Sequence, residues 1–143
     1  MVNTAFEIVE LHDADVDSLV LSSSDIVIKF SSIMVCQREE AERQGCWLYQ
    51  GRLVARGVHQ IAMSSPGGLA EEGDCLYSAT FIVQEKEIDV KAVIAGASEC
   101  NCTFCWAISG TKLQFHAEHV QLEIDTTGRR LGTWDPTTQT MRE

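Results

Sequence analysis

Asp25-Ile26-Val27-Ile28-Lys29-Phe30 is the stretch whose reading decides the fold. Ile26, Ile28 and Phe30 fall on one side of a period of two, with Asp25, Val27 and Lys29 on the other. This is the pattern of a strand that buries one face and wets the opposite one. The period recurs at Trp47 and Tyr49, at Tyr77, Ala79, Phe81 and Val83, and at Ile88, Val90 and Ala92. It appears again at Phe104, Trp106 and Ile108, and at Val120, Leu122 and Ile124. Six such runs with almost no helical spacing between them predict an all-β fold. The expected form is an antiparallel β-sandwich or flattened β-barrel of about 8–10 short strands with at most one short helix.

Working outward, Phe6 to Glu10 reads as a short strand. Leu11-His12-Asp13-Ala14-Asp15 is a polar turn before the strand Ser18 to Leu21, and Ser22-Ser23-Ser24 is a second turn. The strand from Asp25 runs to about Cys36, with a break near Ser31-Ser32. Arg38 to Gln44, dense in Glu and Arg, suggests one or two helical turns, too short for a core helix. Gln50-Gly51 has the spacing of a tight hairpin between Trp47-Tyr49 and a long arm, Arg52 to Met63. The breakers and acids of Ser64 to Asp74 predict the longest surface loop.

A second hairpin is expected from Cys75 to Gln84, a turn at Glu85-Lys86, and Glu87 to Ala95. A third joins Cys100 to Ile108 through Ser109-Gly110 to Thr111 onward. Between Phe115 and Val120 the apolar phase changes from odd to even positions, which a regular strand cannot do. A β-bulge near Ala117-Glu118, or a short turn, would restore it. The pattern fades beyond Gly128, so residues 1–133 read as a single β domain and residues 134–143 as a loosely held tail.

The chain has 143 residues, enough for one core without staples. Its 21 acidic against 11 basic residues give a formal charge of -10, which argues against nucleic acid and anionic membranes as partners. The first 25 residues hold acids and no Lys or Arg, unlike a secretion signal. No run approaches the ~20 apolar residues that span a bilayer. A cytoplasmic location is the expectation, and with it six reduced cysteines: Cys36, Cys46, Cys75, Cys100, Cys102 and Cys105.

Few residues point to chemistry. Cys100-Asn101-Cys102-Thr103-Phe104-Cys105 supplies three thiols where Zn²⁺ favours four ligands, and Cys105 points away from the other two in a strand. Past a bulge, His116, His119 and Glu123 share one sheet face and form a candidate divalent-metal set. Their spacing is similar to the metal strand of cupins, but that signature separates its two histidines by one residue, and this chain does not. A solvated outer face accounts for the same pattern. Asp13, Asp15 and Asp17 start a calcium-loop pattern that fails at Ser18, where Gly is needed, and at Ser24, where Glu is needed.

No nucleophile elbow or phosphate-cradling glycine loop is present, no cofactor is implied, and a non-enzyme is the expectation. Trp47, Tyr49, Phe81, Phe104, Trp106 and Phe115 could line a small-molecule pocket with Arg52, Arg56 or His59 as polar anchors. The same aromatics are more often plain core, since bulky aromatics dominate any β core.

The segment Phe6 to Leu19, with its His12-Asp13-Ala14 element, followed by a strand, a serine turn and Asp25 to Phe30, resembles small uncharacterised bacterial β-proteins. Some of these are grouped with immunity proteins of polymorphic toxin systems. Chains of this size and type also resemble products of mobile gene cassettes. The resemblance implies that His12 and Asp13 fix the first turn of a β-sandwich, and it carries no catalytic role. The functional expectation is a protein-binding module that meets a basic partner or forms a homodimer. A small-molecule β-barrel is the alternative, and a cupin-like metal enzyme comes behind it.

Overall fold

The computed structural model describes residues 8–40, 43–65, 74–135 and 140–142. The elements run in the order β1 (Ile8–Leu21), β2 (Asp25–Glu40), β3 (Arg43–Ser64), β4 (Leu76–Val83), β5 (Lys86–Ile88), α1 (Val90–Ala95), β6 (Ala97–Trp106), β7 (Lys112–Asp135) and β8 (Thr140–Arg142). All pairings are antiparallel, in one sheet of order β1-β2-β3-β7-β6-β4-β5 with β8 on β7. The fold is all-β and sandwich-like, and the sheet is not closed. Terminal strand β1 meets the segment leading into β4, the neighbour of terminal strand β5, through an isolated bridge, Asp15 to Cys75, and a backbone bond from Val16 N–H to Asp74 O at 2.8 Å.

The residues that set the period are the ones buried. Ile26, Ile28 and Phe30 of β2 face Val16 of β1, Leu53 and Ala55 of β3, and Leu122 and Val120 of β7 within one core. Phe104 on β6 stands among Phe81, Trp106 and Phe115 at ring separations of 5.6, 6.1 and 6.0 Å. Such edge-to-face and offset contacts add about 0.5–1.5 kcal/mol each beyond area burial.

Several expected turns are irregularities within long strands. Gln50-Gly51 lies inside β3, and β2 and β3 stay paired beyond it through Gln37–Gly45, Arg38–Gln44 and Glu40–Arg43. That ladder also replaces the helical turns expected at 38–44. Gly51 is glycine because two strands close on it. A Cβ there would lie 2.7 Å from the Glu123 carbonyl oxygen and 2.9 Å from Ile33 Cδ1. The Leu11–Asp15 turn is a kink within β1, with Asp13 at φ 67°, and Ser31-Ser32 is a register shift within β2.

The strand expected through Ala95 stops at Ile88. Asp89 caps α1 by accepting the Lys91 N–H at 3.2 Å. Val93 is buried, with Val90 and Ile94 packed beside it, so the i, i+3, i+4 spacing wins over alternation. The helix fills the space beside β7 that β6 leaves free, where Gln121 Nε2 donates to Ile94 O at 3.3 Å. The third hairpin lies where it was expected.

The phase change in β7 is present, but its pairing is unbroken. Ala117 and Val120 both point inward while β7 keeps register with β3 and β6 across the step. Each neighbour makes the matching step, β3 between Ala55 and Val58 with Gly57 at φ 65°, and β6 between Ala97 and Cys100 with Glu99 at φ 50°. The extra residue is thus shared by three strands.

Cys36 and Cys46 are joined by a disulfide between directly paired positions of β2 and β3, correcting the expectation of six thiols. Strand register brings the two together, which spacing along the chain does not show. Cys75, Cys100, Cys102 and Cys105 are free. The interior of the expected loop, residues 66–73, lies outside the described residues. Of the expected tail, residues 140–142 pair with 133–135 of β7.

Candidate functional site

The expected pocket aromatics face the core or its edge, whereas the expected polar anchors and metal residues lie together on the outer face. Phe81, Phe104, Trp106 and Phe115 are buried against one another and fill the core. Trp47 and Tyr49 cover its edge, with the Arg130 guanidinium 5.1 Å over the Trp47 ring and Tyr49 against Gly128. Arg52, Arg56 and His59 project from the outer face of β3 and are exposed. The aromatics and their supposed anchors therefore do not enclose a common space, because alternation sends them to opposite sides.

The metal set is likewise dispersed. His116 stands opposite His59, His119 opposite Arg56, and Glu123 opposite Arg52. Seven residues of strand separate His116 from Glu123, roughly 20 Å. Glu123 is committed to Arg52, whose Nε lies 2.6 Å from its Oε2. Among the described residues no three His, Cys, Asp or Glu side chains gather in a metal-holding arrangement.

His116 has its own neighbours. Its Nδ1 is 2.9 Å from Asn101 Oδ1 and its Nε2 is 2.7 Å from Glu99 Oε2, with the His59 ring centroid 4.7 Å away. Glu99 holds Nε2 and Asn101 holds Nδ1, so the ring is fixed at both nitrogens. No hydroxyl or thiol among the described residues hydrogen-bonds either ring, so the cluster lacks the nucleophile that a base would activate.

The cysteine cluster is a buried pair. Cys102 donates to Cys100 across 3.8 Å, which lowers the Cys100 pKa and raises that of Cys102, and Cys105 lies on the other face opposite Lys112. Of the N-terminal element, His12 Nδ1 lies 3.3 Å from Asp13 and its ring edges that of Tyr77 at 5.9 Å, both within β1 and not at a turn between strands.

Sequence reasoning missed two features. The first is Asp74, 4% exposed, which accepts N–H bonds from Cys75 at 2.8 Å, Ile108 at 2.9 Å and Ser109 at 3.1 Å. Burial alone would raise its pKa, but the bonds from Ser109, Ile108 and Cys75 outweigh burial and lower it. With its carbonyl bonded to Val16, it ties the β6–β7 turn to the seam of the sheet.

The second is a line of register shifts crossing four strands at one level. They lie between Glu10 and Asp15 in β1, Phe30 and Ile33 in β2, Tyr49 and Gly51 in β3, and Ile124 and Gly128 in β7. Along this line, mostly between side chains that alternate away from the core, lie three cavities of about 440, 440 and 410 Å³. Ser31 and Gln50 are common to the first two, and Ser32 and Leu48 to the second and third. The signal is present in the polar interruptions Ser31-Ser32, which reads as a break within a strand, and Gln50-Gly51, which reads as a tight hairpin turn.

The edges of the sheet complete the inventory. β2 stops pairing with β3 at Asp25–Arg56, and past the bond from Val58 N–H to Ser24 O, residues 59–64 of β3 have, among the described residues, only β7 beside them, with a register shift between His59 and Ala62. All six are exposed, Ile61 by 47% and Met63 by 39%. Val20 and Leu21, at the end of the neighbouring β1–β2 hairpin, are exposed as well. No helix among the described residues is long and apolar enough to cross a membrane. Set against protein-family models, curated proteins and solved structures, the chain matches none of them.

Proposed function

We propose that this protein is a non-enzymatic protein-binding module whose contact surface is the free edge of β3. The observation that carries the reading is the overhang 59–64, a strand with one unpaired edge and exposed aliphatic side chains. An unpaired edge offers backbone N–H and C=O groups to an incoming strand, and side chains on it select the partner. The charge of -10 steers association toward a basic protein. An immunity-like or accessory role, which the N-terminal resemblance implies, is one form of this reading.

A second copy of the chain is the other reading, and one observation favours it. Residues 57–64, Gly-Val-His-Gln-Ile-Ala-Met-Ser, carry no Asp, Glu, Lys or Arg. Two acidic chains meeting there would escape the like-charge repulsion they meet elsewhere.

The test is affinity capture from source-cell extract with wild type and an Ile61→Lys/Met63→Lys variant, with native mass spectrometry of both. Lysine on an edge discourages strand addition. The expected result is a stoichiometric basic protein held by wild type and lost by the variant, with protection of the 58–64 amides in the complex. A dimer lost in the variant would move the assignment to self-pairing. Equal behaviour of the two proteins would contradict both readings.

A further inference from the structure

We propose that the first cavity on the bend, the one lined by Asp17, Lys29, Gln50, Arg52, Glu123 and Asp125, is a binding site for a small zwitterion bearing one carboxylate and one ammonium, such as a free amino acid. This site shares no residue with the 59–64 edge: it lies where the β2–β3 ladder passes Lys29–Arg52 and Phe30–Gly51.

The charges around this cavity are arranged in a way that disfavours the empty fold. Lys29 and Arg52 are direct cross-strand partners, and like charges in that position are destabilising. Glu123 relieves only half of this, since it takes Arg52 through Nε and, among the described residues, no bond reaches the guanidinium Nη donors. Lys29 has no ion pair among the described residues. Two carboxylates, Asp17 and Asp125, line the same cavity, yet neither pairs with either cation. Opposite charges are therefore presented to one volume without neutralising each other.

That volume, about 440 Å³, is within the range of small-molecule sites. Its walls select by charge. A simple anion would meet Lys29 and Arg52 but also two free carboxylates, and a simple cation the reverse. A molecule carrying both charges matches all four groups, with its carboxylate on Lys29 and the Arg52 Nη groups, where bidentate pairing is available. Its ammonium faces Asp17 and Asp125. Ser31 and Gln50 add neutral hydrogen-bonding groups to the wall. The cavity exists because β7 inserts residues between Ile124 and Gly128 that β3 does not match, so its shape is fixed by backbone and not by side-chain rotation alone.

The experiment is calorimetric titration of the purified protein with free L-amino acids. Each is compared with two analogues of the same side chain, the carboxylate lacking the amine and the amine lacking the carboxylate. The expected result is at least one amino acid that binds about tenfold or more tightly than both analogues. Lys29→Ala and Asp125→Asn should each weaken that binding about tenfold or more, with thermal melts unchanged. His12→Ala, in the third cavity, should leave it intact. No binding up to about 10 mM, or a single-charge analogue binding as tightly as its parent, would overturn the assignment.

Discussion

Two lines of irregularity cross this sheet, and they have opposite consequences. At the level of Gly57, Glu118 and Glu99, three adjacent strands each take up one extra residue, so the ladder is preserved and the outer face stays packed, Glu118 against Gly57 and His119 against Gly96. At the bend, from Glu10–Asp15 to Ile124–Gly128, the insertions are unequal. Register breaks there, and the outer face opens into three cavities. A phase step shared by neighbours changes which side chains face in. An unshared one changes the shape of the surface.

The largest test of this contrast is at Gly51 on the bend. Gly51→Val places atoms against the Glu123 carbonyl oxygen and Ile33, backbone and core that cannot rotate away. A loss of about 3 kcal/mol in urea unfolding is expected, at the upper end of overpacking costs. A loss near zero would mean that β3 and β7 are farther apart there than the structure has them.

Next in size is the seam, where Asp74 joins what the bend leaves open. Asp74→Ala removes three hydrogen bonds to a buried carboxylate and leaves their N–H groups unsatisfied, an expected cost of about 2–3 kcal/mol at neutral pH. The sign with pH follows from the lowered pKa. A carboxyl held lower in the folded than in the unfolded state stabilises fully above its unfolded value and loses that contribution as pH falls through the folded one. The difference between wild type and variant should therefore shrink in acid. A difference that grew in acid would reverse the assignment.

The smallest effect is at the shared step. Gly57→Ala meets a flexible Glu118 side chain and a positive φ, so about 1 kcal/mol is expected. The ratio of the Gly51 and Gly57 costs, measured in parallel melts, says whether the two lines differ as described.

The same contrast separates what was legible in the sequence from what was not. Ile26-Val27-Ile28-Lys29-Phe30 specified its strand because alternation is local, and the Phe115-to-Val120 phase change was visible for the same reason. Gln50-Gly51 reads as a turn because glycine there serves a tight hairpin or a close strand approach equally well, and only the position of Glu123 distinguishes them. Val90, Val93 and Ile94 were hidden by Ile88, Val90 and Ala92, since a short apolar run satisfies both periods. The Cys36–Cys46 pairing, the Asp74 clamp and the opposition of Lys29 to Arg52 depend on cross-strand register, which no single strand encodes.

The free edge of β3 is the claim on which the proposed function rests, and amide hydrogen exchange of the isolated protein tests it most directly. Residues 51–56, with neighbours on both sides, should be protected throughout. Within 59–64, amides facing β7 should exchange slowly and those facing outward should exchange near the unstructured rate, an alternation interrupted at the register shift between His59 and Ala62. Uniform protection across 59–64 in the monomer would show that the edge is already covered and would contradict the account.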